Sequence, residues 1–315
     1  MAHRQAAASH KPAGLILCDP SGNVMNVLQR VSHRYRFLAR GPLGPAFVFA
    51  WRAFEAARGL AREASLRGKW LLQSRETTNL TYDLTDRSIE YICDAIAVAL
   101  GRNRDDIRAY ADEVLNDKNL EAHVIFKTNN SPFRHNADAA FRIGRRLGWY
   151  AIIRTVKPRT VVETGVDKGL GSVVICAALL RNKAEGHDGK YFGTELKPEG
   201  GFLLSGSYAK VGTILYGDSI QSLRALDRQI DVFVNDSDHS DEYEAAEYQA
   251  IKPKLGPRAV IIGDNAYCTD KLCRFAHEMN WPFLFIHEEP RDHWYHGGGI
   301  GLCLSPKLKE TVAAS

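Results

Sequence analysis

Carboxylates and a histidine follow an apolar run in the second half of the chain. The run is IDVFV at residues 230–234, and Asp236, Asp238 and His239 come shortly after it. A second run, AVIIG, ends at Asp264 and Asn265. Carboxylate and amide oxygens are the ligands that Mg²⁺ prefers, and an imidazole can accept a proton near neutral pH. These residue types predict a site for a metal ion or for proton transfer.

Helix capping is the alternative interpretation of the first group. Asp236, Asp238 and Ser240 precede a helical pattern, and short polar side chains commonly accept hydrogen bonds from the first N–H groups of a helix. Capping explains one of these residues, but it does not explain an Asp-Asn pair at the end of the next apolar run. We therefore favour the metal site.

The elements that position these residues follow Pro158, where short apolar runs alternate with helical patterns. The predicted strands are residues 160–164, 190–195, 212–218, 231–236, 258–264, 283–288 and 299–305. Alternation of strand and helix predicts an α/β fold with a Rossmann-like, doubly wound and mainly parallel seven-stranded sheet. The interval between the last two strands holds too little helix for a crossover, so we expect an antiparallel last strand.

The sequence before the first predicted strand has mainly helical patterns. We divide it into an N-terminal extension over residues 1–75, a helical cap over 76–135 and the catalytic domain over 136–315. The extension is helical from about residue 45, and the cap holds two or three helices within 84–128. A further helical pattern runs from Ala137 towards Pro158. We expect the helix of the extension to dock on its own domain or on a second subunit, which makes a homo-oligomer possible, rather than on a membrane surface.

Composition excludes several classes of protein. The chain has 315 residues, of which 45% are hydrophobic and 25% charged, and a formal net charge of +4, as in ordinary soluble proteins. No dense basic stripe predicts nucleic-acid binding, and no apolar run is long enough for stable membrane insertion. Six scattered cysteines without a CxxC pair, and the lack of a signal-peptide pattern, predict free thiols in the cytoplasm.

Glycines and acids mark the ends of the first three predicted strands. The glycine turn after the first strand holds Gly165, Gly169 and Gly171, followed by Ser172 at the start of a helix. This spacing is GxxxGxG and differs from the dinucleotide motif GxGxxG. Acids stand at Glu163, Glu195 and Asp218. Acids in register with a glycine turn suit a cationic nucleoside that has no pyrophosphate.

Over about residues 140–305 this arrangement resembles class I S-adenosylmethionine-dependent methyltransferases. The resemblance implies that the glycine turn, with Gly169, Gly171 and Ser172, binds the cofactor. Glu163 and Gly165 would flank its methionine part, and Glu195 would bind the ribose. Asp218 and Ser219 would lie by the adenine, and Asp236 beside the methyl group.

The later motifs resemble metal-dependent O-methyltransferases. Acids after the fourth strand and Asp-Asn after the fifth are similar to the caffeoyl-CoA and catechol type, and DSDH is similar to the DxxH element of macrolide-sugar O-methyltransferases. The resemblance implies Asp236, Asp264 and Asn265 as Mg²⁺ ligands and His239 as proton acceptor. Asp238 is a supporting residue or an alternative ligand.

Two departures from these families bear on the substrate. The caffeoyl-CoA type has lysine where this chain has His239, and the sugar type is acidic where this chain has Asn265. The substrate class therefore does not transfer from either family.

The expected activity is Mg²⁺-assisted methyl transfer from S-adenosylmethionine to a hydroxyl of a sugar, a catechol or a natural-product intermediate. One alternative is a metal-independent N- or O-methyltransferase with His239 as base. Another is a non-catalytic binding or assembly protein that retains the fold. An NAD(P)-dependent oxidoreductase is disfavoured because GxGxxG is absent.

Three further predictions concern other segments of the chain. Side chains of the loop over 288–301 either line the acceptor pocket or belong to a surface hairpin; they are His293, Trp294, Tyr295 and His296. Trp149 and Tyr150 are expected in the core. Lys127, Asn129 and Asn130 are candidates for a lid over the cofactor.

Overall fold

The computed structural model describes residues 40–77 and 81–308. Two units divide the chain, with the boundary between Ser65 and Leu66. Helix α1, Gly44–Gln73, crosses that boundary, and its start agrees with the sequence prediction. Among the described residues, no helix is both long enough and apolar enough to cross a bilayer. The predicted domain limits and the predicted homo-oligomer stay predictions.

Three helices follow α1 in the chain, and a polar residue caps the start of each. They are α2 (Asp86–Leu100), α3 (Arg104–Leu115) and α4 (Lys118–Asn129). The side chains of Thr85, Asn103 and Asp117 accept hydrogen bonds from N–H groups of the first turns, which would otherwise lack partners. The helices predicted within residues 84–128 are therefore three, and the last of them, α4, ends one residue beyond that range, at Asn129.

A mixed seven-stranded sheet forms the centre of the second unit. Its strands are β1 (Thr160–Thr164), β2 (Lys190–Glu195), β3 (Gly212–Tyr216), β4 (Ile230–Asn235), β5 (Leu255–Asp264), β6 (Phe283–Ile286) and β7 (Ile300–Leu304). The spatial order is β3-β2-β1-β4-β5-β7-β6. Strand β7 runs antiparallel to both of its neighbours, and the other strands run parallel. The predicted Rossmann-like sheet with one antiparallel strand is confirmed.

Helices cover both faces of this sheet. They are α5 (Arg146–Val156), α6 (Leu170–Ala184), α7 (Ser219–Ala225), α8 (Asp241–Ile251) and α9 (Lys271–Glu278). Strand β4 shows why two apolar layers form: Val232 and Val234 belong to one buried cluster, and Phe233 belongs to the other. Since alternate side chains of a strand point to opposite faces, a continuous apolar run suits a strand buried on both sides.

Helix α5 begins later than the sequence predicted. The sequence pattern predicts a start at Ala137, whereas the helix starts at Arg146. Gly144 has a φ of 52°, which is outside the right-handed helical region, and a Cβ there would lie 2.5 Å from the Tyr82 ring. The irregular segment before α5 places two adjacent arginines at the carboxyl edge of the sheet.

The glycine turn after β1 brings the backbone unusually close to the end of β4. Gly165 has a φ of 79°, and a Cβ on it would lie 2.0 Å from the carbonyl oxygen of Asp236. Strand order reverses direction between β1 and β4, and ligands bind beside such reversals in open parallel sheets. Glycine at this position therefore lets the ends of two strands close the floor of a cleft.

Replacing Gly165 by alanine should destabilise the protein strongly, because the new methyl group meets backbone. We expect a loss of about 2 to 5 kcal/mol in the free energy of unfolding, from left-handed strain plus overpacking. Gly186→Ala is the matched control: Gly186 has a φ of 86° and open space around it. The free energy of unfolding of the control should fall only by the cost of the left-handed strain, about 1 to 2 kcal/mol. Equal losses in urea denaturation of the two variants would contradict the close approach at Gly165.

Candidate active site

A cavity of about 540 Å³ opens at the carboxyl edge of the sheet. Six of the residues singled out in the sequence line it: Gly165, Gly171, Glu195, Asp236, His239 and Asn265. The segment before the sheet contributes Thr128, Phe133 and Asn136, which replace the neighbouring residues expected as a lid. Arg146, at the start of α5, also lines the cavity. The fold thus brings the glycine turn and the proton-accepting residues to one space.

The two acids predicted at the nucleoside end have different surroundings. Glu195 lines the cavity, and its carboxylate accepts hydrogen bonds from the N–H groups of Asp167 at 2.7 Å and Lys197 at 2.8 Å. Asp218 instead accepts from the N–H of Gln221 at 2.8 Å, which caps α7. Glu195 therefore lines the cavity and Asp218 does not, and a role of either in binding the nucleoside stays a prediction.

Ser219 and the ends of two strands share one buried carboxylate that sequence reasoning missed. Glu247 of α8 accepts hydrogen bonds from Ser219, Asn235, Ser237 and Thr164. Burial raises the pKa of Glu247, against the lowering effect of these donors. One glutamate on a helix face gives no sequence signal for such a role. It fixes the backbone that forms the cavity floor.

Glu163 lies beneath the glycine turn rather than in the cavity. Its carboxylate accepts hydrogen bonds from the hydroxyls of Tyr191 and Ser172, and a Cβ on Gly171 would lie 2.3 Å from its Oε1. Burial raises the pKa of Glu163 to about 7, against the lowering effect of these hydrogen bonds. The side chains of Glu163 and Ser172 therefore support the turn from below, and direct contact of either with a cofactor stays a prediction.

Asp236, His239 and Asp264 form a compact cluster at the ends of β4 and β5. One ligand atom of each lies within 4.8 Å of the others. The Nε2 atom of His239 lies 3.8 Å from Asp236 Oδ1 and 3.0 Å from Asn265 Nδ2. Burial, and then the charge of Asp264, raise the pKa of Asp236 well above its usual range. The structure thus brings the predicted catalytic residues together.

Arg145, a residue that sequence reasoning missed, already holds the two side chains expected as metal ligands on β5. Its Nε and Nη2 donate to the two carboxylate oxygens of Asp264, and Nη2 also donates to Asn265 Oδ1 at 3.0 Å. Burial acts to raise the pKa of Asp264, but the Arg145 guanidinium outweighs it and holds that pKa at about 2. The carboxylate is therefore charged and paired.

The position of this guanidinium does not depend on Asp264 alone. Arg145 Nη1 donates to Glu288 Oε1 at 2.9 Å and to the Tyr82 hydroxyl at 2.6 Å. Glu288 is fully buried and also accepts from the N–H groups of Gly298 and Gly299 at 3.0 and 3.3 Å. The Glu288 carboxylate and the Tyr82 hydroxyl thus form a binding site for the Arg145 guanidinium, and backbone N–H groups hold the carboxylate in place.

A divalent cation does not fit the donor set in this arrangement. Mg²⁺ needs oxygen atoms with free lone pairs. The Asn265 oxygen already accepts two hydrogen bonds, from Arg145 and from the Tyr295 hydroxyl at 2.6 Å, and the oxygens of Asp264 keep lone pairs but face the positive charge of Arg145. A cation there would have to displace a buried guanidinium that four other groups hold. The Mg²⁺ site therefore stays a prediction.

The remaining candidates have clear positions. Asp238 accepts a hydrogen bond from the N–H of Ser240 at 3.0 Å, in the turn before α8, but Ser240 is the N-cap of that helix and no side chain caps it, so the capping interpretation is not confirmed. Trp149 and Tyr150 are fully buried in the core, as expected. In the loop over 288–301, the Tyr295 hydroxyl reaches Asn265, whereas His293 packs against the Tyr82 ring at 5.7 Å. Neither residue is among those that line the cavity, so their role in an acceptor pocket stays a prediction.

One protein family matches the part of the chain that contains the glycine turn and the Asp236, His239 and Asp264 cluster. Residues 162–266 match the model of a family described as a methyltransferase domain. Together with the order of the seven strands, this match indicates a Rossmann-like methyltransferase fold. The match covers β1 to β5 and the cluster at their ends, and comparison with curated protein sequences finds no match.

Solved structures include similar chains at low identity. The O-methyltransferase TomG from Streptomyces achromogenes, involved in tomaymycin synthesis, is 19% identical with a TM-score of 0.45, covering 60% of this chain and 90% of its own. The SAH-bound Podospora anserina methyltransferase PaMTH1 is 16% identical with a TM-score of 0.44, covering 63% and 93%. An O-methyltransferase from Bacillus cereus in complex with SAH is 14% identical with a TM-score of 0.40, covering 62% and 90%.

The buried carboxyl beneath the turn predicts a pH dependence of stability. The pKa of Glu163 rises from 4.5 to about 7 on folding, so its contribution to stability is present below pH 4.5 and is lost as pH rises through 7. Glu163→Gln should therefore gain stability relative to wild type by up to about 1.4 kcal/mol per pH unit within this window. Urea denaturation of both proteins at pH 5, 6 and 7 measures the difference, and a difference independent of pH would contradict it.

Proposed function

We propose that the chain transfers a methyl group from S-adenosylmethionine to a hydroxyl of a small molecule, with His239 as the proton acceptor. The observation that carries the proposal is the position of His239 and Asp236 in one cavity with the glycine turn. The glycine turn supports cofactor binding, and the histidine supports a reaction that releases a proton. A methyltransferase domain over residues 162–266 is consistent with both.

The cofactor would lie along the ends of β1, β2 and β4. Gly165 and Gly171 have no side chains, which allows a ligand to approach the backbone closely. Glu195, already oriented by two backbone N–H groups, would accept hydrogen bonds from the ribose hydroxyls. Because the sulfonium methyl is already activated, the protein mainly has to align it with the attacking oxygen.

Proton removal from the acceptor would use the Nε2 atom of His239. Asn265 offers an N–H to this nitrogen, so the neutral imidazole keeps a lone pair on Nε2 and carries its hydrogen on Nδ1. A hydroxyl that enters the cavity would replace the amide as the donor to that lone pair. The Asp236 carboxyl group, 3.8 Å away, would face the imidazolium formed as the methyl group is transferred, and the new positive charge would favour its ionised form.

A small molecule is the acceptor that the cavity favours. A volume of about 540 Å³ that holds a nucleoside cofactor leaves room for little more than a ring-sized partner. Sugars, catechols and natural-product intermediates meet that limit and carry hydroxyls of the required kind. A metal-independent N-methyltransferase is the second candidate, because a histidine base also serves an ammonium acceptor.

Replacing His239 by alanine should slow methyl transfer without weakening cofactor binding. We expect kcat to fall about 10²- to 10⁴-fold, which is the usual contribution of a positioned base. Mass spectrometry of methylated products, with S-adenosylmethionine and a panel of catechols, phenols, glycosides and amines, measures this effect. His187→Ala, a change of an exposed histidine, is the control.

Two outcomes would contradict the proposal. Turnover of the panel by the His239→Ala variant at the wild-type rate would exclude His239 as the base. Methylation of the amines alone would replace the hydroxyl acceptor by a nitrogen acceptor.

Chelation of divalent cations should leave the reaction unchanged. Since Arg145 already neutralises Asp264, activity in excess EDTA should equal activity with added Mg²⁺. The same panel and the same product measurement apply. Activity lost in EDTA and restored by Mg²⁺ would show that the guanidinium leaves Asp264 during the reaction.

A further inference from the structure

Arg145 is held from two sides, and only one of them belongs to the predicted metal site. On that side its guanidinium donates to both carboxylate oxygens of Asp264 and to Asn265 Oδ1. On the other side it donates to the Tyr82 hydroxyl at 2.6 Å and to Glu288 Oε1 at 2.9 Å. Tyr82 is 1% exposed, Glu288 is fully buried, and neither lines the cavity. These two groups therefore hold the guanidinium rather than a ligand.

The segments that carry Tyr82 and Glu288 are tied to each other by backbone hydrogen bonds. The N–H of Thr85 donates to the carbonyl oxygen of Glu289 at 3.0 Å. The N–H of Arg291 donates to the carbonyl oxygen of Asp83 at 2.7 Å. The fold therefore sets the position of the guanidinium independently of the ends of β4 and β5.

Buried positive charge is already supplied at this edge of the sheet. A guanidinium keeps its charge throughout the neutral range. Arg146, which is also buried, brings a second one, with Nη2 3.6 Å from Asp236 Oδ2. The two guanidinium groups nearly balance the carboxyl groups of Asp236, Asp264 and Glu288. A divalent cation would therefore add uncompensated positive charge to a buried site, which is costly.

The cluster beside the guanidinium nevertheless has the composition of a metal site. One ligand atom each of Asp236, His239 and Asp264 lies within 4.8 Å of the others. Carboxylate oxygens and an imidazole nitrogen are ligands for Mn²⁺ and similar divalent ions. Because Arg145 lies against Asp264, its charge opposes the entry of a second cation.

We infer that the Arg145 guanidinium is the resident cation of this site and stands in for a divalent metal ion. The cluster of Asp236, His239 and Asp264 is a latent metal site that this guanidinium keeps closed. Arg145 does not line the cavity, so it acts as a positioning residue that neutralises Asp264 and orients Asn265 towards His239. For catalysis this role rests on the proposed function, whereas cation binding by the cluster can be measured without any reaction.

Removal of the guanidinium should give the protein a divalent-cation site that wild type lacks. The probe is Mn²⁺ alone, because the electron paramagnetic resonance signal of the free aquo ion decreases when the ion binds to protein. We expect Arg145→Ala to bind one Mn²⁺ per chain at least about 10-fold more tightly than wild type, since the ligands lose a competing cation. Asp264→Asn in the Arg145→Ala background should abolish the gain, because it removes one ligand of the cluster.

Arg154→Ala is the matched control for loss of a buried guanidinium. Arg154 is 2% exposed and is paired with Glu113 and Glu185, which lie outside the cluster. This variant loses ion pairs of the same kind and should gain no Mn²⁺ site.

A second variant and a second measurement apply if Arg145→Ala does not fold. Glu288→Gln is then added to it, because Glu288 is the buried carboxylate that loss of Arg145 leaves unpaired. Mn²⁺ should raise the Tm of either Arg145 variant and leave the Tm of wild type unchanged, since an ion that binds only the folded state stabilises it.

The outcomes separate this inference from the proposed function. Mn²⁺ binding by wild type that Asp264→Asn abolishes would overturn the inference, because the ion would then coexist with Arg145. A folded Arg145 variant with no gain over wild type, or an equal gain in Arg154→Ala, would also overturn it. Failure of the proposed function would appear instead as absence of methyl transfer by wild type, with the Mn²⁺ results as expected.

Discussion

A buried guanidinium between two buried carboxylates is the interaction on which the candidate site depends. Arg145 joins the start of α5 to Asp264 at the end of β5 and to Glu288 beyond β6. The three side chains are at most 5% exposed, so each charge relies on the others. Removing one member of such a group typically costs about 3 to 5 kcal/mol, because the remaining charge is left unpaired. The triad therefore fixes the relative positions of three segments, two of which carry the cavity-lining residues Arg146 and Asn265.

The orientation of the proposed base follows from the same guanidinium. Arg145 and Tyr295 donate to the Asn265 oxygen, which turns the amide nitrogen towards His239. Asn265 has a φ of 47°, a left-handed conformation that asparagine tolerates better than most residues. Asn265 thus both tolerates the left-handed backbone conformation at the end of β5 and links Arg145 to His239 by hydrogen bonds. In this account, an arginine provides the positive charge at a place where the sequence alone suggested Mg²⁺.

Most of the fold could be predicted from the sequence because short stretches of sequence carry the signals for its strands and turns. Apolar runs bounded by glycine and acids gave strand limits within a few residues, and the short interval from Phe283 to Leu304 excluded a crossover helix. The start of α5 was missed because Gly144 takes a left-handed conformation that periodicity does not reveal.

The site was harder to predict because its key contacts join distant segments. His239, Asp236 and Asp264 were found from strand ends alone. Arg145 and Glu288 are 143 residues apart, and no spacing rule relates them. Two adjacent arginines within an apolar helical pattern were the available signal, since such a pattern seldom buries charge without a partner or a ligand.

The most direct test of the account is a crystal structure of the protein grown with S-adenosylhomocysteine and Mg²⁺. The account predicts the ligand in the cavity, with its ribose hydroxyls about 3 Å from Glu195. It also predicts that Arg145 still holds Asp264. A ligand bound elsewhere, or an octahedral cation on Asp236 and Asp264 with Arg145 displaced, would contradict it.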